Sequence, residues 1–139
     1  MLSFICAINI DKIMCGQSSL NHNGLTSYNS HLEFETDCLQ YDGFNMVYIT
    51  YWYFPEIDFA YTSPHKDNPH VFVPTRERAL VDYIRCEKHC DEGVLIEALH
   101  DYLNWFYDLP KLYEVADYFK VPRKTIDYWL EEARNDFEV

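Results

Sequence analysis

The sequence predicts a single α+β domain over residues 1–139, with a small mixed or antiparallel sheet in the N-terminal half and about four helices behind it. Residues 45–54 are dense in β-branched and aromatic side chains, which favour strands. After Pro74 the apolar residues recur every three or four positions, the spacing of a helix face. Residues 1–74 are therefore expected to be strand-rich and residues 75–139 helical.

Turn-forming and polar residues separate the predicted strands of the N-terminal half. A turn-rich stretch is expected over 21–30, around Asn23-Gly24, and a polar loop over 62–69. Pro55 ends the strongest strand because proline donates no hydrogen bond to a sheet. The predicted strands are 32–35, 39–41, 45–54, 57–61 and 70–73.

Each predicted helix has a recognisable start. Thr75 and Asp91 or Glu92 suit helix N-termini, and Pro110 and Pro122 suit a first turn. The side chains on the inward faces of these helices are expected to form the core. Its candidate residues are Leu80, Ile84, Leu99, Phe106, Ala116 and Trp129.

Residues 112–130 have the pattern of a helix-turn-helix. Such a motif would place Arg123, Lys124 and Thr125 at the start of its second helix, where a DNA reader makes base contacts. Residues 110–134, however, carry five basic and five acidic residues, so no basic surface is expected. A structural helical hairpin is the favoured interpretation, and direct DNA binding is not expected. Lys120 stands in the turn where glycine is usual, so it needs a positive φ or a different turn.

Few residues suggest metal or catalytic chemistry. Cys86, His89 and Cys90 have ligand chemistry within one predicted helical stretch, but a closed zinc site needs a fourth ligand, so buried thiols and no bound metal are expected. Glu33, Glu35 and Asp37 alternate along a predicted strand, and such a row is usually a solvated face. Because no phosphate loop or nucleophile motif is present, we expect no enzyme activity, no catalytic residues and no cofactor.

The charge pattern indicates a basic partner. The net charge is −12, and residues 91–117 contain seven acidic residues against Lys111 alone. Such a field attracts a basic protein and repels phosphate backbones. Aromatic residues beside these carboxylates are typical of protein interfaces. The candidate partner-binding residues are Glu97, Asp101, Trp105, Asp108 and Tyr113.

The N-terminal residues and the cysteines give an expectation about the cellular compartment. The first ten residues are apolar but lack the basic start of a signal peptide, and no stretch is long enough to span a bilayer. The five cysteines form no disulfide-like framework. A cytoplasmic protein with reduced thiols is expected.

Three segments carry a resemblance to a known family. The segment Val71-Phe-Val-Pro-Thr-Arg-Glu-Arg-Ala-Leu-Val-Asp82 resembles the strand-into-helix element of AbiEi-type antitoxins from type IV toxin–antitoxin systems. Residues 109–119 and 125–131 are similar to that family's closing helices, and the resemblance spans about residues 44–134. Thr75-Arg76 stands where the family more often has Ser-Pro.

The resemblance implies a C-terminal antitoxin domain, which counteracts a nucleotidyltransferase toxin and has no catalytic residues. The part before residue 44 is expected to be too short for the family's N-terminal winged helix. The resemblance and the charge together predict a non-catalytic, antitoxin-like inhibitor. One alternative is a phage-encoded anti-CRISPR or other anti-defence protein that mimics nucleic acid and blocks the basic channel of a nuclease complex. A second is a helix-turn-helix transcription regulator.

Overall fold

The computed structural model describes residues 11–26, 32–46 and 49–136. It confirms the α+β class. In the described part of the chain the strands and α-helices are β1 (Lys12–Ile13), α1 (Gly16–His22), β2 (Leu32–Thr36), β3 (Asn45–Met46), β4 (Ile49–Tyr53), β5 (Thr62–His65), β6 (Asn68–Pro74), α2 (Arg76–Arg85), α3 (Glu92–Trp105), α4 (Leu109–Tyr118) and α5 (Arg123–Asp136). Short 3₁₀ turns cover Leu39–Tyr41 and Glu87–His89.

The strands form two small mixed sheets rather than one. In the first, β6 lies between parallel β1 and antiparallel β5. In the second, β4 lies between parallel β2 and antiparallel β3. The sheets meet where Met14 bridges to Phe34 and where the Cys15 amide donates to the Glu33 carbonyl at 2.9 Å. This junction brings the start of α1 against β2.

Several predicted strands are wrong in detail. The range 45–54 is two strands, since β3 runs antiparallel to β4 with Asn45 opposite Thr50. Residues 39–41 form a 3₁₀ turn, and 57–61 form no strand. Strand propensity gives no information about where one strand ends and its neighbour in the sheet begins.

Three elements, β1, β5 and α1, were not expected at all. The predicted polar loop 62–69 contains β5 and the start of β6, which pair as a hairpin with Ser63 opposite Val73. As an edge strand, β5 tolerates Pro64 because one side of its backbone needs no partner. Helix α1 was missed because its sequence, with Leu20 as its one large apolar residue, has no helical periodicity.

The four predicted helices after Pro74 are confirmed, and local signals explain where they begin. Thr75 Oγ1 accepts from the Arg78 amide at 3.2 Å, and Asp91 Oδ1 accepts from the Val94 amide at 3.1 Å. Such caps satisfy amides that a helix start leaves unpaired. The main core lies between these helices and the sheets. Leu80, Leu99 and Ala116 are fully buried there and Ile84 nearly so, whereas Phe106 and Trp129 are only half-buried at its edge.

Candidate partner-binding surface

The outer face of α3 carries three of the five predicted partner-binding residues. Glu97, Asp101 and Trp105 follow one another at intervals of four residues, so they lie along one side of the helix. Leu95 and Leu99 are fully buried on the opposite side. Burial of that apolar side against the core therefore turns the two carboxylates and the indole outward.

Trp105 is the most conspicuous residue of this face. Its exposed fraction is 76%, and Tyr107, just after the helix, is 59% exposed. Tyr107 was not among the predicted site residues, although its position two residues after Trp105 could have indicated that it belongs to the same surface. Large exposed aromatic residues beside polar ones mark interaction surfaces more often than single scattered apolar residues do. We name the set Glu97, Asp101, Trp105 and Tyr107 the α3 surface.

The two carboxylates of the α3 surface interact with each other. Partial burial, and then the negative charge of Glu97, raise the pKa of Asp101 above its ordinary value. His100 opposes this shift, with its Nδ1 at 4.0 Å from Asp101 Oδ1. Like charges one helical turn apart repel. A cation placed over this pair would relieve the repulsion, which is a property expected of a surface that receives a basic group.

The other two predicted contact residues already have structural roles. Asp108 Oδ1 accepts from the Lys111 amide at 3.2 Å and so caps α4. The Tyr113 hydroxyl donates to Asp127 of α5. Both residues lie on α4 or at its start, and Tyr113 contacts α5 instead of extending the α3 surface. Asp108 remains exposed, so its charge still adds to the field.

The predicted helix-turn-helix is a tightly turned pair of helices. The Val121 amide donates to the Ala116 carbonyl at 2.8 Å and the Lys120 amide to the Asp117 carbonyl at 3.1 Å, which closes α4 in a Schellman motif. Lys120 has φ of 61°, as the predicted turn requires. The start of α5 is not a free basic patch. Arg123 Nη2 lies 3.0 Å from Asp117 Oδ2, so its charge is paired.

The remaining residues proposed as DNA contacts add little positive charge. Lys124 is exposed, and Thr125 is half-buried. Asp127 and Glu131 are exposed farther along the same helix. The exposed charges along α5 therefore include both signs.

The acidic row on β2 is buried, contrary to the expected solvated face. Glu33 and Glu35 are 7% and 5% exposed, whereas Asp37 beyond the strand is exposed. Arg78 of α2, fully buried, places Nη2 at 3.3 Å from Glu35 Oε2 and Nε at 3.2 Å from Asp82 Oδ2. Glu35 is therefore part of an internal ion network that joins a sheet to α2.

The centre of that network is a residue that the sequence analysis did not single out. Arg78 Nη1 also donates to the carbonyls of Asp58 and Ala60, at 2.6 Å for Ala60, and thereby fixes the 57–61 segment. Arg78–Ile84 are all buried, so this stretch of α2 has no polar side. Charged residues inside such a helix must find internal partners.

Glu33 occupies the other end of the row, against α1. Its carboxylate accepts from the Ser18 amide at 3.3 Å, and its own amide donates to Ser18 Oγ at 2.9 Å. Gly16 has φ of 61°, and a Cβ there would lie 2.5 Å from Glu33 Oε2. Glycine is therefore required at this position, because its φ is positive and no space is left for a Cβ atom.

The cysteine and histidine residues 86–90 do not share one helix, because α2 ends at Arg85. His89 Nε2 pairs with Asp42 Oδ1 at 2.8 Å, and its ring stacks on Trp52 at 5.2 Å between centroids. Burial raises the pKa of Cys86 and of Cys90 to about 11, which favours the neutral thiols. Within residues 11–26, 32–46 and 49–136, no group of three metal-ligating side chains occurs.

Comparison with known proteins adds no assignment. No model of a known protein family matches the chain, and no curated protein matches it. Among the residues that the structure describes, no helix has the length and apolar character needed to cross a membrane.

Proposed function

We propose that this chain is a non-catalytic, cytoplasmic binding protein that neutralises a basic macromolecular partner through the α3 surface, as an antitoxin does. The observation that carries the proposal is the exposed Trp105 following Glu97 and Asp101 on one side of a rigid helix. An aromatic anchor beside carboxylates fits a partner that offers an apolar pocket rimmed by Lys or Arg.

The net charge supports the same class of partner. At −12 the chain attracts a basic surface over a distance of about one Debye length, which grows to about 30 Å at 0.01 M salt. The resemblance to AbiEi-type antitoxins makes a nucleotidyltransferase toxin the first candidate partner. A nuclease complex whose basic channel holds nucleic acid is the alternative, since carboxylates along a helix would imitate phosphates there.

The test compares two variants with equal charge change in a capture experiment. The first combines Glu97→Lys and Asp101→Lys with Asp108→Asn, which removes the Asp108 charge but keeps a side chain able to cap α4. The control combines Glu131→Lys, Asp136→Lys and Asp127→Asn on α5. Each tagged protein is incubated with purified candidate partners and with host lysate at low and moderate salt.

We expect the α3 variant to lose the partner and the α5 variant to keep it. A nucleotidyltransferase retained by the wild type and the control supports the antitoxin function, and a nuclease complex supports the blocking of a basic channel. Equal affinity of both variants for a bound partner would refute the assignment to α3. Salt-sensitive binding of duplex DNA without any protein would instead favour a regulator that uses α5.

A further inference from the structure

Helix α4 holds an arginine of the chain with one aromatic ring and one carboxylate. Tyr113 and Asp117 are four residues apart, so they are neighbours on the same side of that helix. Arg123, at the start of α5, contacts both of them. Its central carbon lies 5.0 Å from the centroid of the Tyr113 ring. Its Nη2 donates to Asp117 Oδ2 at 3.0 Å and its Nε to Oδ1 at 3.5 Å, so the guanidinium meets the ring and the carboxylate together.

This combination of groups recurs in the molecule. Four of the five arginines place their central carbon between 3.7 and 5.0 Å from a ring centroid, and three of those four also pair with a carboxylate: Arg78, Arg85 and Arg123. A planar guanidinium can lie on a ring while its edge donates two parallel hydrogen bonds to a carboxylate. Lys111 lies over Tyr61 and pairs with Glu114, but through a single nitrogen.

The α3 surface carries the same pair of groups at the same spacing. Asp101 and Trp105 are also four residues apart on one side of a helix, with the carboxylate before the ring. Trp105 is 76% exposed and the Asp101 side chain 34%. The charges that act on Asp101 are those of Glu97 and His100, both on α3. Among the described residues, therefore, no arginine or lysine occupies this pair.

We propose that the α3 surface receives an arginine side chain of the basic partner, with the guanidinium on the Trp105 ring and hydrogen-bonded to the Asp101 carboxylate. This inference rests on the function proposed above and names the group through which the partner binds. Glu97, one turn before Asp101, adds a second negative charge. Tryptophan attracts cations more strongly than tyrosine does, so the ring on α3 is the better of the two.

The position of the site explains how such a contact contributes to binding. Arg123 and Asp117 are 63% and 53% exposed, and an ion pair that open to water adds little to stability. A partner that covers the α3 surface excludes this water, which strengthens the same contacts. An arginine that docks on Asp101 and Trp105 therefore contributes more to binding than Arg123 contributes to the fold.

The test is a titration of the whole chain by heteronuclear NMR. A capped arginine oligomer and a lysine oligomer of the same length are added separately at the same low ionic strength. We expect saturable shifts of the Trp105 indole N–H and the Asp101 carboxyl signals, with the arginine oligomer binding about threefold more tightly or better. The indole signals of buried Trp52 and half-buried Trp129 are internal references.

Matched variants locate the contact on the ring and the carboxylate. Trp105→Leu and Asp101→Asn should each abolish the preference for the arginine oligomer. Tyr128→Leu on α5 is the control, since Tyr128 is also exposed, at 56%, but follows Lys124 by one helical turn. We expect it to bind as the wild type does. Because Trp105 and Tyr128 are exposed, neither replacement removes core packing.

Arg123→Gln provides a positive control within the same molecule. It frees Tyr113 and Asp117 from their own arginine, so we expect a second set of saturable shifts at these two residues. Binding there without binding at Trp105 would refute the proposal. Equal affinity for the two oligomers, or equal loss in Trp105→Leu and Tyr128→Leu, would also overturn it.

The outcome is distinguishable from that of the capture experiment. If the α3 surface captures a protein but shows no preference for arginine, this inference fails and the proposed function stands. If the arginine oligomer binds at Trp105 but no macromolecule depends on α3, the site stands and the proposed function fails.

Discussion

Two rows of carboxylates with similar sequence character have opposite positions in this molecule. Glu97 and Asp101 lie on the outer face of α3, while Glu33 and Glu35 lie inside, between β2, α1 and α2. Neither row has a lysine or an arginine next to it in the sequence. The difference is made by what packs on each element. Helix α3 has a complete apolar face on its other side, whereas β2 is covered by two helices.

The two rows therefore serve different purposes. In the β2 row, Glu35 compensates part of the charge of buried Arg78, 43 residues away, and Glu33 binds Ser18 of α1, so the row connects segments that are far apart in the chain. Among the described residues, no arginine or lysine pairs with the α3 row. Asp101 has a weak contact with His100. A carboxylate that is already paired inside contributes to the fold, and an unpaired exposed one remains available to a partner.

The largest expected effect comes from removing the centre of the buried network. Arg78→Met would leave Glu35 and Asp82 buried without their main counter-charge, so we expect a loss of about 3–5 kcal/mol in the free energy of unfolding. Such a loss is a large share of the about 5–15 kcal/mol typical of a domain. Urea unfolding followed by circular dichroism measures it.

The control for Arg78→Met is Arg76→Met, an exposed position on the same helix. Arg76 stacks on Phe106, so a loss of at most about 1 kcal/mol is expected there. Equal losses in the two variants would show that the β2 row does not depend on Arg78 and that the contrast between the two rows is wrong.

The fold class and the α3 surface were predictable because both rest on local signals. Apolar spacing of three and four residues fixes which side of α3 is buried, and capping residues such as Thr75 and Asp91 fix where helices begin. The positions of four of the residues singled out on α3 follow from that one periodicity: Glu97, Asp101 and Trp105 lie on its outer side and Leu99 on its buried side. Phe106, predicted for the core, lies just beyond the helix and is only half-buried.

The buried row was not predictable in the same way. Glu35 and its partner Arg78 are 43 residues apart, and nothing in the alternation of β2 states which face a distant helix will cover. The contacts of the Arg85 guanidinium likewise require that Phe54 and Phe119, which are far apart in the chain, both lie against it. Such meetings depend on the tertiary arrangement of elements, which one sequence specifies but a local pattern does not reveal.

A smaller effect is expected in the pH dependence of stability. Burial, and then the charge of Asp82, raise the pKa of Glu35 well above its ordinary 4.5, and Arg78 opposes this incompletely. Because the folded state holds the proton more tightly than the unfolded state, Glu35 contributes stability below about pH 4.5. That contribution is lost as the pH rises toward the folded pKa.

Glu35→Gln tests this sign, because it keeps the shape and cannot ionise. Over the range from pH 4.5 upward, we expect the free energy of unfolding of the variant, relative to the wild type, to increase with pH and to level off once the pH passes the folded pKa of Glu35. Denaturant unfolding of both proteins at several pH values measures the difference. A difference that stays constant over this range would mean that Glu35 has the same pKa in the folded and unfolded states.

The smallest effect is expected on the exposed row, and its sign is the informative part. Glu97→Gln removes one of two like charges a helical turn apart, so we expect a gain of about 0.2–0.5 kcal/mol in the free energy of unfolding. The pKa of Asp101, followed by NMR, should fall toward its ordinary value, because the charge of Glu97 helps to raise it. Glu131→Gln on α5 is the control and should leave that pKa unchanged. A carboxylate whose removal stabilises the free protein is not retained for the fold, and binding a cation is a use that accounts for it. A loss of stability in Glu97→Gln would instead give Glu97 a structural role and weaken the case for the α3 surface.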